Sequence, residues 1–381
     1  MSFRRLVTNT LAKADVAING DRPWDIQVHN EQFFPRTTRG ALGLGESYMD
    51  GDWDVESLDA LFRRFLTAEL GSSLIYKANH FGLAVRAKLA NLQSKRRSRA
   101  VAEEHYDLDH RMYEQFLGPY NQYTCCFFDD TDNLAQAEIN KLEMICEKLE
   151  IDGDDRVLDI GCGWGGFAKY AATTRGCEIT GVTISSEQAE YARDYTAGLP
   201  VDIVLADYRD LPEKLGTRFD KILICGMIEH VGYKNYRSIM RVVHRLLDDA
   251  GLFLLHTIGN SADTAIVDRW FEKYIFRNSM APSMAQLARA IQDLFVVHDW
   301  ENYGHYYAKT LSAWQANFEK NWEAIKALKT RHAFDEKFRR MWNYYLLSSK
   351  AAFEVESLLL WQIVMSKAGM RDSVYERVLL R

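Results

Sequence analysis

No two cysteines in this chain stand three positions apart as a C-x-x-C pair, and the six present show no short, even spacing. That argues against a disulfide scaffold and a tetrahedral zinc site, so no metal is expected. In a chain of 381 residues the thiols read as reduced and cytosolic. Positive charge is not in excess either. The 47 Lys and Arg against 53 Asp and Glu leave a net charge of -6, so nothing draws the whole molecule to nucleic acid. Long apolar runs are missing. The strongest, SLLLWQIVM, is about half of what a bilayer span requires, so any membrane is met at its surface. The N-terminal MSFRRLVTNTLAKADVAING lacks the continuous apolar core of a signal peptide. There is no internal repeat, no low-complexity tract and no G-x-S-x-G nucleophile elbow. What remains, 47% hydrophobic and 26% charged, is ordinary globular composition with length for two or three domains.

Residues 1–90 read as a first, smaller unit of mixed α/β character. Helical pattern (SLDALFRRFLTAEL) and short strand-like pieces (WDIQVHN) flank a turn-rich centre, LGLGESYMDGDWD. A linker is expected at 91–110, where Lys95, Arg96, Arg97 and Arg99 cluster. Such a run is either a solvated face or a patch for anionic lipid headgroups, worth about 1 kcal/mol per basic residue near a membrane. The remainder, 111–381, reads as a second, larger domain. From about residue 140 helix and strand patterns alternate. RVLDIG, EITGVTI, VDIVLAD, FDKILICGM and GLFLLHTIG read as buried strands, most of them separated by helices. That alternation predicts an open, mostly parallel α/β sheet of Rossmann type with helices on both faces. The regularity lapses in an insertion from about 260 to 295, and helices rich in aromatics follow.

The most informative stretch is VLDIGCGWGGFAKY, residues 157–170: a strand, a glycine-rich turn and a helix start. Gly161, Gly163 and Gly166 satisfy G-x-G-x-x-G, which lets a partly anionic ligand approach amides at a helix N-terminus. Nicotinamide, flavin and sulfonium cofactors all use such turns. A dinucleotide site normally has an acid at the end of the next strand. Here that strand ends at Thr183, which weakens the dinucleotide reading. Asp159, just before the turn, suits the ammonium of S-adenosylmethionine, or else braces the loop. Asp207 in LADYRDL suits an adenine amine, or else caps a turn. Gln188 either contacts the ligand or closes a capping box with Ser185.

VLDIGCGWGG, GVTISSEQ, EHVG, LLHTIG and QYTC, together with LGLGESYMDGDWD, NLQSKRR, EHYDL, KYIF and LWQ outside the cofactor fold, resemble the cyclopropane-fatty-acyl-phospholipid synthases. The mycolic acid cyclopropane synthases share the pattern, and the longer bacterial phospholipid type matches it over almost the whole chain. The resemblance implies an S-adenosylmethionine-dependent methyltransferase fold. It also implies a reaction in which a cis double bond of a phospholipid acyl chain attacks the donor methyl. A bound bicarbonate then removes a proton as the ring closes. By motif, the bicarbonate ligands would be Cys125 and Ile258, mainly through backbone groups, with Glu229, His256 and Tyr307. The donor would meet Tyr123, Thr124, Asp159, Gly161, Gly163, Thr183, Gln188, Asp207 and Tyr208. A hydroxyl at the strand end, Thr183, is what this family uses.

Residue chemistry supports that assignment. An unactivated alkene must be held close to the donor and away from water, which calls for an apolar, aromatic-lined pocket. Tyr303, Tyr306, Tyr307 and Trp270 are the candidates for lining it. The resemblance further implies a homodimer, cytoplasmic and peripherally associated with the inner face of the membrane, drawing its lipid from the bilayer. Two departures stand out. KYIFRNSMAPS has Arg277 and Ser279 where the family shows proline and glycine, and Cys126 and Phe128 replace commoner alanine and tryptophan or tyrosine. Two other outcomes stay open: a lipid methyltransferase giving a branched or hydroxylated product, and a non-catalytic lipid-surface binding protein. The presence of Glu229 opposes the first, since ring-forming members have it. Intact Gly161, Gly163, His256 and Tyr307 oppose the second.

Overall fold

The computed structural model describes residues 2–68, 70, 109–261, 268–330, 333–369 and 375–376. The basic cluster at Lys95–Arg99 and nearly all of the expected linker lie outside the described residues.

Near the N-terminus, helices Phe3–Ala12, Phe33–Thr37, Ala41–Met49 and Leu58–Thr67 surround a small antiparallel pair, β1 (Gln27–Val28) and β2 (Trp53–Asp54). The glycine-rich LGLGESYM is helix here, not turn. The chain turns only at Gly51, where φ is +77°. Gly43 and Gly45 serve close approach. A Cβ on Gly43 would lie 1.9 Å from the Arg36 carbonyl oxygen, and one on Gly45 2.3 Å from Trp270 Cδ1.

The large sheet holds β3 (Arg156–Ile160), β4 (Glu178–Thr183), β5 (Val201–Leu205), β6 (Phe219–Cys225), β7 (Leu247–Asn260), β8 (Val296–Asn302) and β9 (Leu358–Ser366). Its order is β5-β4-β3-β6-β7-β9-β8. The first five strands are parallel, as the alternating pattern predicts, and helices separate them. The last strand, β9, slots antiparallel between β7 and β8. It is the apolar run SLLLWQIVM, which is buried on both flanks.

Helices Gly304–Lys320 and Glu336–Glu354 carry the aromatic tail and pack on each other, and the second also packs on the N-terminal helices Ala41–Met49 and Leu58–Thr67. One hydrophobic cluster joins Val7, Phe33 and Trp53 to Phe116, Trp314 and Trp342. Fully burying a ring such as Phe33 stabilises by about 1.5–3 kcal/mol. Ion pairs reinforce the junction: Lys273 with Glu46 and Lys350 with Asp59, each at 2.6 Å. Arg340 donates to the carbonyls of Tyr48 and Trp53. Among the described residues no helix is long and apolar enough to cross a membrane.

Candidate active site

The glycine turn forms at the C-terminal end of β3, where open α/β sheets place their ligands. Gly161 and Gly163 adopt φ of +94° and +55°, a region costly for any side chain. The amides of Gly161 and Cys162 both donate to the Val182 carbonyl, at 2.8 and 3.0 Å, which straps the turn to β4. Across it lies the segment Gly118–Cys125. A Cβ on Gly166 would sit 2.0 Å from the Tyr120 carbonyl oxygen, so glycine is needed where the two segments touch. The segment is held from below by helix Leu134–Lys148. Buried Glu138 accepts from the amides of Tyr120 (2.7 Å) and Gln122 (2.9 Å), and buried Lys141 donates to the Gln122 side chain. This presents Tyr123, Thr124 and Cys125 inward. The Tyr123 hydroxyl donates to that of Tyr345 at 2.8 Å.

Glu229 stands in a single helical turn, Ile228–His230, just past β6. The preceding Gly226 donates its amide to the His256 carbonyl at 2.9 Å, tying this turn to β7. His256 and Ile258 lie two apart on β7 and therefore on one face. The Ile258 amide donates to Glu229 Oε1 at 2.7 Å, so that backbone group is engaged by the carboxylate itself. Glu229 Oε2 and His256 Nε2 are buried and have no protein partner. The other ring nitrogen, Nδ1, lies 3.2 Å from Gln362 Nε2.

These elements enclose a cavity of about 610 Å³. Its wall includes Cys125, Glu229, His256, Ile258 and Tyr307, and also Tyr123, Thr124, Asp159, Gly161, Gly163 and Gln188. Eleven expected positions are thus brought to one space. Three are not on it. The Thr183 hydroxyl donates to Gln188 Oε1 at 2.8 Å and so acts through that side chain. Asp207 is paired with Arg209 at 2.9 Å and caps the Arg209 amide, the turn-capping alternative. Tyr208 packs beneath the Arg209 guanidinium. Of the four aromatics expected to line the pocket, only Tyr307 does. Trp270 is buried under Gly45, Tyr303 is bonded to buried Lys148 at 3.0 Å, and Tyr306 packs on Phe127. Phe271, Phe276, Tyr345 and Phe353 line it instead. Pattern alone cannot separate the two sets, because both come from aromatic-rich helices. The cavity continues to Leu6, Val7, Phe62 and Phe65 of the N-terminal helices.

Burial dominates the electrostatics. It pushes Asp159 up to about 7 and Glu229 up to about 7, the latter despite the Ile258 amide. It holds His256 down to about 3 and His230, also on the cavity wall, down to about 4. Both imidazoles are therefore neutral at physiological pH. His230, which the sequence places with Glu229 just after a strand end, lies on the wall, while Glu138 and Gln362 support it from behind and are legible in the sequence only as parts of a helix and of the LWQ motif.

A parallel sheet closed by an antiparallel last strand, with a glycine turn opening on a cavity at its C-terminal edge, defines an S-adenosylmethionine-dependent methyltransferase. The fold is shared with coclaurine N-methyltransferase bound to N-methylheliamine and SAH. That structure has a TM-score of 0.70 and 24% identity, over 85% of this chain and 99% of that one. The model of the mycolic acid cyclopropane synthetase family matches residues 93–363, and the chain belongs to this family. It is 45% identical to the cyclopropane-fatty-acyl-phospholipid synthase of Escherichia coli K12 over 370 residues, 96% of this chain and 94% of that one. It is also similar to the mycolic acid cyclopropane synthase CmaA1 complexed with SAH and CTAB. There the TM-score is 0.63 and the identity 27%, over 71% of this chain and 98% of that one.

Proposed function

We propose that this enzyme converts the cis double bond of an unsaturated phospholipid acyl chain to a cyclopropane ring, with S-adenosylmethionine as methyl donor and bicarbonate as base. The observation that carries this reading is that two orphaned polar atoms, Glu229 Oε2 and His256 Nε2, belong to neighbouring residues on the wall of the cavity that begins at the glycine turn. Buried polar atoms without partners call for a small polar ligand. An oxyanion with one acidic proton suits a carboxylate acceptor beside an imidazole N–H donor. When bound, the donor supplies an electrophilic methyl and bicarbonate supplies a base for the final proton.

The protein's own residues do the rest. The turn at Gly161 and Gly163, whose Gly161 amide stays on the Val182 carbonyl, would hold the donor together with Tyr123, Thr124 and Asp159 around its amino-acid end. Gln188, oriented by Thr183, would meet its ribose, and Asp207 and Tyr208, which the cavity wall does not include, would meet the adenine only beyond that wall. The alkene carbon bonds to the methyl as the sulfur–carbon bond breaks, and the lipid cation then loses a proton from the new methyl as the ring closes. Phe271, Phe276 and Phe353 exclude the water that would trap that cation. The Tyr307 ring can stabilise it by up to about 2 kcal/mol. Ser279 and Met280, in the stretch that departs from the family, stand on the wall, and the Met280 amide donates to the Glu229 carbonyl at 2.9 Å. Acyl preference is set there.

The lipid is reached at the inner face of the membrane, where the protein docks peripherally, with a homodimer offering two docking faces. Phe3, 57% exposed, and Leu66, 36% exposed, stand on two of the N-terminal helices that the cavity reaches. The test is direct. Purified protein is mixed with S-adenosylmethionine and vesicles of cis-monounsaturated phospholipid, and the fatty acids are analysed by mass spectrometry. The expected product is heavier by one methylene, lacks a double bond and resists hydrogenation. A branched or hydroxylated product would refute ring closure.

A further inference from the structure

We infer that Gln362 is a positioning residue that makes His256 a hydrogen-bond donor rather than a base. This rests on the reading of the cavity given above and deepens it. The register of the sheet brings the two together. His256 on β7 and Gln362 on β9 are direct partners across the antiparallel pair, so both side chains leave the same face. Gln362 is fully buried, and its Nε2 lies 3.2 Å from His256 Nδ1. An imidazole nitrogen that accepts a hydrogen bond carries no proton. In a neutral ring the proton then sits on the other nitrogen, Nε2, the atom left without a protein partner. Burial keeps the ring neutral, so no second proton confuses the assignment.

The choice of an amide has a chemical consequence. A carboxylate in this place would accept from Nδ1–H and leave Nε2 as a lone pair, the arrangement that makes a histidine a general base. An amide N–H reverses the polarity. His256 then presents N–H to whatever oxyanion enters, and the proton released by the lipid has no acceptor on this ring. The only acceptor left among the two orphaned atoms is Glu229 Oε2, which agrees with an anion that donates to the glutamate while accepting from the histidine. The motif LWQ, which the cofactor fold does not explain, gains a purpose: the last strand delivers an amide to the back of the imidazole.

The test uses the full chain, labelled with 15N-histidine, without lipid, donor or bicarbonate. A His256→Gln variant assigns the signal. The expected spectrum shows Nδ1 as the acceptor nitrogen and Nε2 as N–H. The opposite amide orientation would put the proton on Nδ1, and that spectrum overturns the proposal whatever any variant does. The second arm is Gln362→Met, which keeps the volume and removes the donor. Its Nδ1 signal should shift toward that of a nitrogen accepting no bond. Its kcat should fall roughly 10- to 100-fold, as for other outer-shell partners, with KM for S-adenosylmethionine unchanged. An unchanged kcat overturns the proposal, and so does a fall carried entirely by KM. Because the tautomer is read in the free protein, it stands or falls separately from the bicarbonate reading, which is checked by the bicarbonate dependence of wild-type turnover.

Discussion

Glu229 and Asp159 are carboxyls that folding keeps partly protonated at neutral pH. For Glu229 the folded value of about 7 lies above the unfolded 4.5. Between these values the folded chain retains a proton that the unfolded chain has released. Its contribution to stability is therefore full below about pH 4.5 and is lost as pH rises to about 7. Above that, the buried charge costs on the order of 3 kcal/mol. His256 and His230 slope the other way, since they must take a proton on unfolding in acid. The wild-type profile mixes these slopes, and a single variant separates them. Glu229→Gln should lower kcat by about 100-fold or more. It should also gain stability relative to wild type as pH rises from 5 to 8, measured by urea unfolding at several pH values. A gap that stays constant with pH would mean that Glu229 is not buried as a carboxyl.

At the scale of elements, the segment Gly118–Cys125 depends on Glu138 and Lys141 beneath it. Glu138→Ala leaves the half-buried amides of Tyr120 and Gln122 without their acceptor, at about 1 kcal/mol each. The segment that carries Tyr123 and Thr124 then loosens, and the Kd for S-adenosylmethionine should rise, as titration calorimetry would read. An unchanged Kd would remove these two residues from the donor site. The helix Ala41–Met49 depends on an absence. Gly45→Ala drives a Cβ into the Trp270 ring, and urea unfolding should show a loss of about 1–3 kcal/mol. The glycines that read locally as turn formers are contact points between helices, and no local propensity carries that information.

For the whole molecule, the N-terminal helices and the aromatic tail form one hydrophobic cluster and one cavity wall. Removal of residues 1–68 would uncover Trp270, which lies against Gly45, and Tyr344, which packs on Tyr48 and Phe62. The shortened chain should aggregate and lose turnover, checked by size-exclusion chromatography and product analysis. A monodisperse, active fragment would show that the two parts are independent. Docking is testable at the same scale. With a net charge of -6, attraction to an anionic bilayer requires a locally basic face. Vesicle binding should therefore weaken from low to high salt, while salt-insensitive binding would point to apolar insertion alone.

The one-dimensional pattern determined the parallel half of the sheet and the glycine turn, and the family resemblance of short motifs pointed to Glu229, His256 and Tyr307, which the fold brings to the cavity wall. Each depends on neighbours a few residues away: a strand beside a turn, or a short motif at a strand end. Only the tertiary structure decided which aromatics line the cavity, that LGLGESYM is a helix pressed on Trp270, and that Gln362 stands behind His256. Those outcomes depend on pairs such as Gly45 with Trp270 and His256 with Gln362. Such residues lie more than a hundred positions apart and meet only when the last strand enters the sheet antiparallel and the aromatic helices close on the N-terminal segment.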